Sequence, residues 1–340
     1  SESFKYAGKF DGNGKTISGL YFNDSSDYVG LFGYVSGSGD ISNVGVVNSY
    51  IKGSDYVGGV CGYNKGTITN CYNNGAVSGN IFVGGVCGGN SGTITNCYNN
   101  GAVSGSKYVG GVCGDNSGTI KNCYNNGAVS GDAYVGGVCG WNFGTITNCY
   151  NNSDKYNGKA IGYSSSELNN VLNKAAKEFK SGEVCYLLQS GQEKNDETGE
   201  IPMVWGQTIG DDEVPVLTND SERKVYATKN CVTYTNNEKM SDVEKEHGSF
   251  ENGICSDCSA EYKAAELKGD VYEISNAGQL YWFAQYVNSG NPYANAILKE
   301  NIEINKNVLD DNGKLNEDTS GFLSWTPIGS ESVKYAGKFD

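Results

Sequence analysis

Residues 56–152 spell nearly the same string four times, restarting at Tyr56, Phe82, Tyr108 and Tyr134 with a period of 26 residues that never slips. The first block reads YVGGVCGYNKGTITNCYNNGAVSG. Cys61, Cys87, Cys113 and Cys139 hold one place in the period, and Cys71, Cys97, Cys123 and Cys149 hold another. A fixed period of this length marks a repeat architecture. Each block is too short and too rich in Gly to bury a core alone. It contains three short β-prone runs, YVGGVCG, TITNCY and GAVS, separated by turn signals such as Asn73-Asn74-Gly75. No helical periodicity appears. The arrangement that satisfies such a backbone is one β-solenoid coil per block, each pairing its strands with the coils above and below at about 4.8 Å per coil. The expected fold is therefore mainly β, a parallel solenoid, right-handed by the bias of parallel crossovers.

Stacking puts equivalent residues at equivalent heights. Asn70, Asn96, Asn122 and Asn148 are expected to form an amide ladder, and Tyr72, Tyr98, Tyr124 and Tyr150 an aromatic one. Tyr56, Phe82, Tyr108 and Tyr134 form a further column, either an aromatic stripe that contacts sugar rings or a shield for the sheet edge. The preceding coil, Tyr28 to Lys52, aligns on GLFG and ISNV, which places Phe32 at the Cys61 position and Val44 at the Cys71 position. KAIG after the four blocks places Ile161 at the Cys139 position. Apolar substitution makes these positions inward-facing. Both cysteines vanish together where both can be aligned, which points to pairs 61–71, 87–97, 113–123 and 139–149. Each such disulfide would be worth about 2.5–3 kcal/mol in the chain-entropy model. The alternative is eight free thiols packed as small hydrophobes.

The GLFG at Gly30–Gly33 and the VGGVCG…NCYNNG…VSG blocks resemble the GLUG repeats of large bacterial cell-surface proteins, many of them giant tandem-repeat proteins of Firmicutes. The resemblance covers residues 1–163, and VYEISNAGQLYWFAQYVNSG and VWGQTIG resemble segments that accompany such repeats. It implies a surface, adhesive or fibrous role and supplies no catalytic residues.

The formal net charge of −14 argues against nucleic-acid or anionic-lipid partners, which need Lys and Arg. Twelve cysteines fit an oxidising, extracellular setting. No run of about 18 apolar residues could insert in a membrane. The absence of a starting Met reads as an internal piece of a longer protein, so the lack of a visible targeting signal says nothing about the parent. The first eleven residues, SESFKYAGKFD, recur at Ser330–Asp340 as SESVKYAGKFD with one mismatch. This reads as a module of about 329 residues joined end to end with copies of itself. A duplication present only twice is the rival account.

Four segments follow. Residues 1–163 form the solenoid, with FDGNGKTISGLYF as strand, Gly-Asn-Gly turn and strand. Residues 164–217 form a C-terminal cap, beginning with a helix on Leu168, Val171, Leu172 and Ala175 and a second at Gly182–Gln189, together covering the last coil's open edge. Residues 218–265 form a polar linker stapled at its cysteines. Residues 266–340 hold the strand VYEI, a helix over Ala277–Asn288 capped by Asn276, and the first solenoid strands of the next module. In the linker, Cys231, His247, Cys255 and Cys258 could hold a structural zinc ion, with a disulfide among the three cysteines as the alternative. Either staple would serve a segment too polar to fold by burial.

No HExxH, GxSxG or P-loop occurs, and the coil-to-coil variation at Lys65, Ser91, Ser117 and Phe143 builds no carboxylate cluster. The sequence therefore reads as a non-enzymatic structural module of an extracellular filament or stalk. The alternative is an adhesin that binds glycans through the aromatic stripe.

Overall fold

The computed structural model describes residues 4–195, 198–230, 232–241, 243–245, 250–251, 254–255, 264–302, 327–329 and 332–340. They fall into two compact units, residues 1–226 with 234–238 and residues 227–233 with 239–340.

The first unit is a parallel β-solenoid. One sheet stacks Phe32–Val35, Cys61–Asn64, Cys87–Asn90, Cys113–Asn116, Cys139–Asn142 and Ile161–Ser164. The largest sheet runs from Lys9–Ser18 through Asp40–Val47 and the Thr67–Thr69, Thr93–Thr95 and Thr119–Lys121 rungs to Thr145–Asn152, and ends on Leu168–Lys174. Shorter strands build two further faces. All these pairings are parallel, and the four Cys-bearing coils pair like with like: Cys61 with Cys87, Cys87 with Cys113, Cys113 with Cys139. Phe32 pairs with Cys61, and Ile161 with Cys139, as the alignment requires. Inside, Val57, Val83 and Val109, Ile68, Ile94, Ile120 and Ile146, and all eight cysteines make one fully buried column-built core.

Two buried amide ladders run the length of the stack. Asn64 donates its Nδ2 to Asn90 Oδ1 at 2.8 Å, Asn90 to Asn116 at 2.8 Å, and Asn116 to Asn142 at 2.8 Å. Asn73 donates to Asn99 at 2.9 Å, Asn99 to Asn125 at 2.9 Å, Asn125 to Asn151 at 3.0 Å, and Asn151 to Asn173 at 2.9 Å. Each amide also clamps its own turn: Asn125 Nδ2 donates to Gly127 O at 2.8 Å, while Gly127 N–H donates to Asn125 Oδ1 at 3.2 Å. The ladders expected at Asn70 and Tyr72 form only in part. Asn70, Asn96, Asn122 and Asn148 sit at corners with φ of 53–54°. Asn148 donates to Asn122 at 2.7 Å, but Asn96 exchanges its bonds with Gln192. Tyr72 stacks on Tyr98 at 4.7 Å and Tyr98 on Tyr124 at 5.0 Å, whereas the Tyr150 hydroxyl turns to Asn148.

Three local expectations change. Lys9–Ser18 is one strand with a bulge between Asp11 and Lys15, not a hairpin, because Asp40–Val47 offers a parallel partner along its whole length. Leu168–Lys174 is a strand, not a helix. Its residues LNNVLN align in register with ITNCYN of the coil below, pairing Ile146 with Leu168, Cys149 with Val171 and Asn151 with Asn173. The open edge of Thr145–Asn152 thereby gains a partner, and that tertiary pairing outweighs a weak helical period. The helices α1 (Ala176–Lys180) and α2 (Glu183–Ser190) then lie against the solenoid's flank rather than over its end. Phe179, Val184, Cys185, Leu188 and Trp205 bury the tyrosine column, with Trp205 at 6.0 Å from Tyr98 and 5.6 Å from Tyr124. Tyr124 donates its hydroxyl to Pro215 O at 2.7 Å.

The second unit packs the helix α3 (Ala277–Asn288) on a small sheet of Glu266–Lys268, Val271–Ile274 and Asn295–Leu298, the last two parallel. Asn276 Oδ1 caps α3 by accepting from Gln279 N–H at 2.9 Å, and Phe283, Ala284 and Val287 are buried. The recurring KFD at 338–340 lies along Asn295–Leu298: Ala296 N–H donates to Lys338 O and Leu298 N–H to Asp340 O, both at 2.8 Å.

The amide ladders predict a specific weakness. Asn125→Leu strands the amides of Asn99 and Asn151 and should lower stability by about 2–4 kcal/mol in urea unfolding. Ser104→Ala, at an exposed position on another sheet of the solenoid, should stay within about 0.5 kcal/mol. Equal losses would refute the ladder's role.

Candidate functional site

The lumen carries the first candidate chemistry. All eight coil cysteines are free thiols, and each is wholly buried. The expected intracoil disulfides 61–71, 87–97, 113–123 and 139–149 are not formed. One thiol of each coil sits on the six-stranded sheet and the other on or beside the largest sheet, and most donate to a carbonyl two residues away along the chain. Cys87 donates to Gly89 O and Cys113 to Asp115 O at 3.1 Å, and Cys97 to Thr95 O and Cys123 to Lys121 O at 3.2 Å. Their nearest equivalents are copies in adjacent coils, where Cys97 N–H meets Cys123 Sγ at 3.3 Å. The joint loss of both cysteines at Phe32 and Val44 thus reflects lumen filling by larger apolar groups. Burial pushes the Cys61, Cys97, Cys113 and Cys123 thiols well above their ordinary value.

The second candidate is on the outside. Tyr56, Phe82, Tyr108 and Tyr134 do come together, joined by Tyr28: rings stack at 5.0 Å from Tyr28 to Tyr56, then 4.7, 5.0 and 5.2 Å along the column. All five hold φ between 56° and 59°. A side chain in this left-handed region costs about 1–2 kcal/mol. Ring stacking of about 0.5–1.5 kcal/mol per pair offsets much of it. A second column, not foreseen from sequence, stands beside the first. Tyr34, Tyr63, Gly89, Asp115, Trp141 and Tyr163 are in register, at a strand position whose residue changes from coil to coil, as it also does at Ile81, Lys107 and Ala133. That variability was the available signal of an outward-facing site. The two columns meet edge to face: Tyr56 with Tyr63 at 5.3 Å, Tyr108 with Trp141 at 4.7 Å, and Tyr134 with Trp141 at 4.5 Å. Lys107 Nζ lies 4.8 Å from the Tyr108 ring centre and 5.5 Å from that of Tyr134. Tyr134, Phe143 and Tyr163 are 40–51% exposed, so the panel opens at its last coils. Asp115 is set into it, and burial pushes its carboxyl up to about 6. A groove of about 620 Å³ adjoins Phe143, lined by Thr145, Thr147, Ser166, Glu167 and Leu168.

The zinc set Cys231, His247 and Cys258 lies outside the described residues, and of Cys255 only the backbone strand Ile254–Cys255 is described. Among the described residues no group of three or more His, Cys, Asp or Glu is placed to hold a metal. No helix among them is long and apolar enough to cross a membrane.

Two measurements follow from the lumen. Denatured without reductant, the chain should alkylate at all eight coil cysteines by mass, whereas the native fold should protect them; intracoil bonds would leave them unlabelled in both states. The folded-state pKa values of Cys61, Cys71, Cys97, Cys113 and Cys123 lie above the unfolded value of about 8.5, so the contribution of these five is complete below that pH and lost as pH rises beyond it. The urea midpoint should fall between pH 8 and pH 10, and an unchanged midpoint would contradict buried protonated thiols.

Comparison with known proteins gives the repeats a family likeness. The model of the GLUG motif matches residues 53–78. Over 73 residues the chain is 40% identical to halomucin of Haloquadratum walsbyi (strain DSM 16790 / HBSQ001), a stretch that is 21% of this chain and 1% of halomucin, so the chain spans a very small part of that protein's length. A crystal structure of a Bacteroides ovatus protein, assigned provisionally as an immunoglobulin A1 protease, aligns over 62% of this chain and 77% of that one, at 19% identity and a TM-score of 0.42. The coil from residue 53 to residue 78 thus matches the GLUG motif, and the same string recurs with the 26-residue period in the coils that follow.

Proposed function

We propose that this chain is a structural module of an extracellular tandem-repeat protein, a length of stiff rod in a surface filament or stalk, rather than an enzyme. The observation that carries this reading is the continuous parallel pairing from Lys9–Ser18 to Leu168–Lys174, in which each rung offers its free edge to the next. Such a stack extends by addition of identical units, and its stiffness comes from backbone hydrogen bonds directed along the axis. The amide ladders and the wholly buried lumen resist local opening and proteolysis. A net charge of −14 keeps such rods apart in solution. Copies of the same module, end to end, are the natural partners.

A second reading rests on the aromatic panel. Carbohydrate rings bind on exposed aromatic faces beside hydrogen-bonding groups, and Tyr134, Trp141 and Tyr163 with Asp115 and Lys107 provide both. Glycan binding would make the rod an adhesin.

Negative-stain electron microscopy of several modules in tandem should show rods that lengthen in proportion to module number; compact particles would contradict the structural reading. On a glycan array, binding that disappears in the Tyr108→Ser, Tyr134→Ser double variant would support the adhesin reading. An array without signal would remove it.

A further inference from the structure

The recurring segment is seen twice, and its two copies use opposite edges of the same strand. In the first unit, residues 5–10 face the solenoid. Tyr6 N–H donates to Tyr34 O at 2.9 Å, Ser36 N–H to Tyr6 O at 2.8 Å, and Asp40 N–H to Gly8 O at 2.9 Å. Residues of one parity in a parallel strand direct both polar groups to one neighbour, so Lys9 and Asp11 point the other way, off the end of the ten-stranded sheet. Their counterparts 329 residues on are Lys338 and Asp340. Those are the residues that bond to Asn295–Leu298: Ala296 N–H donates to Lys338 O at 2.8 Å, Asp340 N–H to Ala296 O at 3.0 Å, and Leu298 N–H to Asp340 O at 2.8 Å. No backbone atom is claimed by both neighbours.

The side chains are equally complementary. Tyr6 and Phe10 rest on Phe32 of the solenoid at 5.0 and 5.2 Å and remain half-buried at its open end. Their counterparts Tyr335 and Phe339 rest on Phe283 of α3 at 6.2 and 5.9 Å, and Phe339 is still 39% exposed. Each copy of the pair is covered on one side only.

We propose that the α3 sheet of one module caps the solenoid of the following copy, with a single KYAGKFD strand shared between them. That strand pairs by Lys and Asp with the Asn295–Leu298 edge of the preceding module and by Tyr, Gly and Phe with the first coil of its own. The aromatic core then runs from Phe283 of one copy, through the shared Tyr and Phe, to Phe32 of the next. The joint closes an exposed sheet edge that would otherwise recruit foreign strands. It rests on the tandem reading proposed above, and it makes the rod continuous where modules meet.

The test is a chain in which residues 1–340 run directly into a second 12–340. The first copy begins with the Phe4 form of the segment and the second with the Val333 form, so mass separates their peptides. Hydrogen exchange in the Val-marked segment should be slower than in the Phe-marked one on the order of a hundredfold, because both its edges are paired. Equal rates, with the coils of both copies protected, would overturn the joint. Rod-shaped particles with equal rates would sink the joint alone. Compact particles with a slowed Val-marked segment would support the joint and sink the fibre.

Discussion

A coil of 26 residues cannot pair its own backbone. Its N–H and C=O groups point along the solenoid axis, and only a neighbour of the same shape can meet them, as Val86 N–H meets Val112 O at 3.0 Å and Thr93 N–H meets Gly66 O at 2.9 Å. Everything else follows from that demand for sameness. Rungs must match in corner geometry, while the turns between them absorb differences in coil length, as where Phe32 pairs with Cys61 and Cys139 with Ile161; asparagine recurs at the left-handed corners, where its short polar side chain tolerates positive φ. Where turns approach most closely, even a methyl is excluded: a Cβ on Gly101 would lie 1.9 Å from Gly75 O. Glycine is abundant here because the coils are pressed together, with no gain in flexibility.

Stacking identical side chains then poses a separate problem for each chemistry. Amides solve it themselves, since each Asn offers a donor to the copy on one side and an acceptor to the copy on the other. Thiols turn back on nearby carbonyls of their own coil and fill the lumen. Tyrosines stack but leave a flat apolar strip. One strip is buried by α2 and Trp205; the other, from Tyr28 to Tyr134, is left partly open and becomes the surface feature that distinguishes this solenoid from a plain one.

Much of this was legible in the sequence because a strict period transmits register directly. The inward columns, the substitution of Phe32 and Ile161 for cysteine, α2 near Gly182–Gln189, and α3 with its Asn276 cap all appear where the pattern put them. The misreadings share one cause: they concern places where a neighbouring chain segment decides. Leu168–Lys174 has a local helical period, yet it is a degenerate copy of ITNCYN and pairs with it. Paired presence of cysteines resembles bonding, yet two residues that share a lumen also covary through volume. The panel of Tyr63, Trp141 and Tyr163 lies at a position that varies between coils, so a search for repetition passed over it.

Removal of one coil tests the sameness requirement most directly. Deleting residues 56–81, one full period, should leave every pairing in register and give a chain that unfolds cooperatively and is shorter along its axis by about 4.8 Å in small-angle scattering. Deleting residues 56–81 together with Ile120, which removes one residue from inside a rung, should flip the inward and outward positions of that rung and weaken the cooperative transition. If both deletions fold equally well, or neither folds, stacked in-register coils are not what holds this protein together.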